Sequence, residues 1–270
     1  MASTINWFPG HMAAANQKII QSLGSVDLVI EVVDARAINT TSNPAFNNIN
    51  KPVLKVALKS DLADLHNIKE ANNLIVGNLK DKGFRNVLLN KIKQMLAPAV
   101  AKKKAKGMAF VISYLMVVGL PNVGKSSLIN FLAKKNLAQT GNMPAVTKTQ
   151  ATLKISNDLY LQDNPGIFFK KITDWKEGFV LALVNTIKKG VLPLEEVLKF
   201  GYEYLNQHYA KAFARYYKLN QQLPYSEFIK WYANKRKFIM LDNQPDIVRA
   251  QDAFFDELVN GKICKINYEG

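Results

Sequence analysis

Gly119-Leu120-Pro121-Asn122-Val123-Gly124-Lys125-Ser126 decides how this chain is read. The stretch matches G-x-x-x-x-G-K-[ST], and its flanks give the match meaning: Met108–Val118 is the most hydrophobic run in the chain, and Lys125–Ala133 has helical character. A strand, a tight glycine loop and a helix are expected in that order. Gly119 and Gly124 would let the amides of Asn122, Val123, Gly124 and Ser127 curl around phosphate oxygens. Lys125 would neutralise the β and γ groups, and the Ser126 hydroxyl would ligate Mg²⁺ at a helix N-terminus. The expected ligand is a nucleoside triphosphate with its magnesium ion.

Downstream, Leu159-Tyr160-Leu161-Gln162-Asp163-Asn164-Pro165-Gly166 reads as a strand ending in Asp and then Pro-Gly, 38 residues beyond Lys125. Asp163 suits a carboxylate that holds Mg²⁺ through water, and the Gly166 amide is able to sense a γ-phosphate. Between the two motifs, Thr147 in Pro144-Ala-Val-Thr-Lys offers a second hydroxyl for the metal from a switch segment.

The whole chain has 270 residues, 48% hydrophobic and 21% charged, enough material for a packed core and one or two domains. Its longest apolar runs stop well short of the roughly 18 residues of a membrane-spanning helix, so no membrane association is expected. The start, Met-Ala-Ser-Thr-Ile-Asn-Trp, lacks the parts of a secretory leader. A single cysteine, Cys264, cannot form an internal disulfide, and a cytoplasmic protein is expected.

Charge is the first pointer to a partner. The net charge is +15, and residues 80–170 hold 15 basic and 3 acidic side chains, whereas residues 1–79 balance. Such a field concentrates polyanions, which favours RNA or DNA.

The order of elements reads as two parts. Helix Asn16–Leu23, strands at Val26–Val33, Pro52–Leu58 and Phe84–Leu89, a helix over Asp61–Val76 and another near Lys91–Leu96 predict an alternating α/β segment. Residues 95–107, with Pro98 and the lysines Lys102, Lys103, Lys104 and Lys106, read as a solvated basic connector. Two strands, Thr149–Ile155 and Leu159–Gln162, follow the phosphate loop. Beyond about Lys171 the spacing is amphipathic throughout, over Val180–Ile187, Leu194–Tyr209, Lys211–Leu219, Ser226–Met240 and Asp246–Val259. A domain over 1–172 followed by a helical domain over 173–270 is expected.

The guanine-recognition element Asn-Lys-x-Asp normally follows a phosphate loop, yet here its nearest equivalent, Leu58-Lys59-Ser60-Asp61, precedes it. That order, together with Trp7-Phe8-Pro9-Gly10-His11-Met12, Asp34-Ala35-Arg36 and Gly-x-Pro-Asn-Val-Gly-Lys-Ser, resembles the circularly permuted GTPases of large-ribosomal-subunit assembly over roughly residues 5–170. The resemblance implies an α/β P-loop GTPase domain with permuted motif order and a small helical domain after it. It implies binding of GTP and GDP, slow intrinsic hydrolysis stimulated by the large subunit, and a partner made of that subunit and its rRNA; a monomer is expected.

It also implies roles for particular residues. Asp61 would accept from guanine N1–H and N2–H₂, with Lys59 covering the base and Ser60 between them. Ile167, just after Gly166, cannot orient water, so His11 is the implied catalytic group. Asn122 is the implied K⁺ ligand. In the helical part, Lys235, Arg236 and Lys237 are the candidates for RNA contact, beside Trp231, which is read as packing.

Two departures matter. Leu58 replaces the family's Asn, which predicts weakened guanine preference, and the base-contacting Ser-Ala loop is not recognisable around Asn86–Asn90. Two rival functions stay open on this reading: an RNA-binding scaffold that senses nucleotide with little hydrolysis, and a P-loop ATPase of relaxed base specificity.

Overall fold

A computed structural model describes residues 21–69, 71–133, 152–162, 172 and 174–270. Contacts divide the chain into two units, described separately: one contains Leu62–Asn67 and Ile172–Gly270, the other extends up to Asp61 and resumes at Ile68.

In the second of these units the dense β-branched runs become strands. β1 (Leu28–Asp34) and β4 (Ser113–Gly119) lie side by side at the centre, flanked by β2 (Val53–Leu58), β3 (Leu74–Val76), β6 (Leu159–Gln162) and β5 (Thr152–Lys154), in the order β3-β2-β1-β4-β6-β5. All pairings are parallel except β5 with β6. Every residue of β1 is buried, as expected for a strand covered on both faces. Val26, Val29, Phe46, Met116 and Val118 form one core cluster against the sheet.

The chain runs outward from β1 through β2 to β3, then returns to place β4 on the other side of β1. The gap between the C-terminal ends of β1 and β4 is therefore the point where strand order reverses, which is where open α/β sheets bind ligands.

Three expectations are corrected here. Residues 84–105 form one helix, α1 (Phe84–Ala105), so neither a strand at Phe84–Leu89 nor a solvated connector over 95–107 exists. Phe84, Leu88, Ile92 and Leu96 are buried at four-residue spacing while Val87 is exposed, which is a helical face rather than a strand. Pro98 is exposed, where a carbonyl that loses its amide partner can turn to water, and the lysines of the last turn oppose the negative end of the helix dipole. The helix expected over Asp61–Val76 is also replaced, by turns ending in β3. Leu62–Asn67 makes long-range pairs instead: Ala63 bridges Ile266, Asp64 N–H donates to the Ile266 carbonyl and Ile266 N–H to the Leu62 carbonyl. Tertiary pairing here outweighs local propensity.

The helical unit comprises α3 (Trp175–Leu183), α4 (Leu194–His208), α5 (Ala210–Tyr217), α6 (Tyr225–Lys235) and α7 (Ile247–Val259), after α2 (Lys125–Ala133) of the sheet unit. The side chains of Asp174 and Asp246 accept from Lys176 N–H and Arg249 N–H and so open α3 and α7. Its core is aromatic: Phe213, Tyr217, Phe228, Tyr232 and Phe254 are linked by ring pairs with centroids 4.8–6.4 Å apart, in edge, tilted and, for Phe228 with Tyr232, stacked geometry. Among the described residues, no helix is long and apolar enough to cross a membrane.

Candidate functional site

β4 ends on Gly119, and the backbone there takes φ 152°, with the main chain of β1 against it. A Cβ at this position would stand 2.4 Å from the Val32 carbonyl oxygen, so only glycine fits. Asn122 (φ 58°) and Gly124 (φ 108°) turn the loop through left-handed conformations while Val123 is fully buried beneath it. α2 then starts at Lys125, with Ser126 and Ser127 exposed in its first turn. The sequence motif thus becomes a loop that exposes a helix N-terminus.

Lys125 Nζ donates to the Leu120 carbonyl at 2.5 Å, inside the loop. Burial lowers its pKa to about 8, because a desolvated ammonium is disfavoured. An anion placed on this loop would favour the charged form.

Beside the loop, β1 ends in Asp34, wholly buried. Its carboxylate accepts from Arg36 Nε and Nη2, each at 2.9 Å, from the Arg36 backbone amide, and from Lys59 Nζ at 2.8 Å. Burial alone would raise its pKa. The Arg36 and Lys59 charges and hydrogen bonds outweigh that and hold it below the ordinary carboxylate range. Lys59, directly after β2 in a left-handed conformation (φ 63°), donates a second hydrogen bond, 3.0 Å, to the carbonyl of Asn122. The segment Leu58-Lys59-Ser60-Asp61 and the phosphate loop are therefore tied together by one ammonium group.

Asp61 is half-buried and pairs with Lys80 at 3.0 Å. Ser60 N–H points to the Gly77 carbonyl at 3.4 Å. The loop at this edge after β3 is Gly77–Lys80, whereas Asn86–Asn90, where a base-contacting loop was sought, lies in the first turns of α1. Leu58 is buried, and its Cδ1 would stand 3.0 Å from a Cβ at 124, so the residue in the family's Asn position packs beneath the phosphate loop.

Of the remaining candidates, His11, Thr147, Asp163 and Gly166 lie outside the described residues; Asp163 is next in sequence to the last residue of β6. In the helical unit, Arg236 pairs with the buried Glu257, which also accepts from the Tyr217 hydroxyl at 2.6 Å. Lys235 donates to the Tyr217 carbonyl and lies 4.5 Å over the Trp231 ring. Lys237 is exposed, with φ 57°. Two of the three basic candidates thus also hold α5, α6 and α7 together.

The donor set fits magnesium held mainly by its nucleotide. Among the described residues there is no cluster of three or more His, Cys, Asp or Glu able to cage a metal, and the helix start offers two exposed serine hydroxyls, Ser126 and Ser127.

The arrangement of Asp34, Arg36 and Lys59 is what the sequence reading missed, although it had noted all three residues. Nothing in their spacing announces an ion triad. The only available signal was a buried strand ending in Asp beside another ending before Lys.

Comparison with known proteins agrees with the geometry. The model of a family described as a 50S ribosome-binding GTPase matches residues 114–214. The chain is 40% identical to a probable ribosome biogenesis GTPase A of Mycoplasma pneumoniae, covering 99% of this chain and 97% of the relative. It is 30% identical to ribosome biogenesis GTPase A of Thermotoga maritima, covering 98% and 94%. Among solved structures, the GDP-bound structure of TM YlqF superposes with a TM-score of 0.62 at 26% identity, over 93% of this chain and 97% of that one.

Proposed function

The chain belongs to the ribosome biogenesis GTPase A family, and from that premise we propose that it is a GTP-hydrolysing assembly factor that binds the large ribosomal subunit and its rRNA while carrying GTP and leaves after hydrolysis. One observation carries the reading: at the point where strand order reverses, Lys59 joins the Leu58–Asp61 segment to a phosphate loop whose own lysine is largely buried and, among the described residues, makes no ion pair.

In this account Lys125 and the amides of Asn122, Val123, Gly124, Ser126 and Ser127 grip the phosphates, and Asp61 with Lys59 and Ser60 faces the base. Ser126, Thr147 and Asp163 would hold Mg²⁺. When bound, that ion neutralises charge on the β- and γ-phosphate oxygens. Thr147 and the Gly166 amide report the γ-phosphate to the partner, and their release after hydrolysis lets the particle go. His11 orients the attacking water, since Ile167 has no polar group for it. Asn122 would hold K⁺, and turnover would then be potassium-dependent. The exposed Lys237, backed by Lys235 and Arg236, meets rRNA phosphates, and the protein acts as a cytoplasmic monomer.

Sedimentation with large-subunit particles tests this. Co-migration with a non-hydrolysable GTP analogue and loss of co-migration with GDP is expected; equal co-migration in both states overturns the switch. A His11→Ala variant should bind the particle with the analogue yet lose single-turnover hydrolysis, and an unchanged rate removes His11 from the chemistry.

A further inference from the structure

At the edge of the sheet away from the phosphate loop, about 20 Å along the seven-residue strand β4, a groove of about 360 Å³ opens between α1 and the starts of β4 and β6. Leu96, Val100, Val111 and Leu159 line it, Lys104 stands at its rim, and Phe110 forms part of its wall while keeping 65% of its surface in solvent. An aromatic ring left this bare beside an apolar groove is unusual for a side chain with no partner to meet.

The charge around it is predominantly positive. From residue 82 to residue 157 the sequence contains no Asp or Glu. Lys104 lines the groove, and Lys102, Lys103 and Lys106 lie within two residues of it in sequence, in the last turn of α1 and just after its end. Lys103 is used by Asp27 at 2.7 Å, but Lys102, Lys104 and Lys106 are exposed, and among the described residues they make no ion pair. Asp158, the acid that lines the groove, is already paired with Lys93.

We propose that this groove takes single-stranded RNA, with one unstacked base lying on Phe110 over the apolar floor and the neighbouring phosphates met by Lys102, Lys104 and Lys106. The groove is near the lower end of the range for small-ligand pockets, suited to a planar base rather than to a helix of a protein partner. Unrelieved lysine beside a bare aromatic ring is the pairing that single-stranded nucleic acid selects, since every base has a face to stack and every nucleotide a phosphate. The identity of the partner rests on the ribosomal reading above, but the site lies at the other end of β4 from the phosphate loop.

The test uses the full chain loaded with GDP and a fluorescent oligouridine dodecamer, with binding followed by anisotropy from 50 to about 200 mM KCl. Phe110→Ala should weaken binding about 5- to 100-fold at every salt concentration without changing the salt slope. Phe110→Trp should retain binding. The triple variant Lys102→Gln, Lys104→Gln, Lys106→Gln should flatten the slope of log affinity against log salt by about 2. GDP affinity in all of them should match the parent, which reports an intact GTPase unit. Unchanged binding by Phe110→Ala overturns the proposal, as does equal affinity for a duplex of the same length, or displacement from the groove by polyglutamate but not by RNA. Particle-stimulated hydrolysis measured on the same proteins separates the two readings. Stimulation with no Phe110 effect removes the groove alone, and a Phe110 effect without stimulation removes the assembly role alone.

Discussion

Lys59 and Asn122, 63 residues apart in sequence, are joined by a 3.0 Å hydrogen bond from the Lys59 ammonium to the Asn122 carbonyl, while the same ammonium lies 2.8 Å from Asp34. A lysine just after β2 thereby holds the shape of a loop that follows β4. The side chain keeps about a quarter of its surface in solvent, so the pair is shielded but not sealed.

Lys59→Met keeps the stem and removes the charge. Hydrogen bonds to charged groups contribute about 1.5–3 kcal/mol, so GDP affinity should fall about 10- to 100-fold, read by calorimetry. Affinity within twofold of the parent would show that the phosphate loop keeps its shape without this bond.

Asp34 and Arg36 form a buried pair with side chains at most 2% exposed. Asp34→Ala removes the buried carboxylate that Arg36 and Lys59 share and should cost about 3–5 kcal/mol in urea unfolding of the nucleotide-free protein. Because the folded pKa of Asp34 lies below its unfolded value, its contribution is complete above the unfolded value near 3.8 and disappears as pH falls through the folded one. Acid unfolding should therefore lose its Asp34-dependent part in the variant.

Lys125 carries the opposite pH signature. Its pKa of about 8 means that above pH 8 the free protein holds it neutral, whereas bound phosphates favour the charged form. Nucleotide binding should take up a proton between pH 8 and 10, and affinity should fall by up to about tenfold per pH unit there. Calorimetry in buffers of different ionisation enthalpy reads the proton directly. Proton uptake that persists in Lys125→Gln would assign it to another group.

Leu58, packed beneath the phosphate loop, leaves the purine edge without the amide that the family places there. The parent should favour GTP over ATP by less than a thousandfold, and Leu58→Asn should raise that ratio about 5- to 100-fold. A parent ratio above a thousand would mean that other groups recognise guanine here.

The phosphate loop was legible because its conformation is local. Gly119 and Gly124 are demanded by positive φ, and a hydrophobic run before them can only be the buried strand. Asp61 and Lys59 were legible through motif resemblance, but not the ion triad that fixes Lys59, since Asp34 and Asn122 meet it only after the sheet has formed. α1 was hidden by Pro98 and the lysine run, both usual marks of a loop, although the burial of Phe84, Leu88, Ile92 and Leu96 carries the helix through. The stretch from Leu62 to Asn67 was misread because Ile266, some 200 residues later, supplies its hydrogen-bond partners.

The most direct measurement is single-turnover hydrolysis of GTP by the full chain in Mg²⁺ and K⁺, alone and with purified large ribosomal subunits, beside a Lys125→Ala control. Slow hydrolysis alone, acceleration of tenfold or more by the particle and none in the control is the predicted result. Equal rates with and without the particle would contradict it.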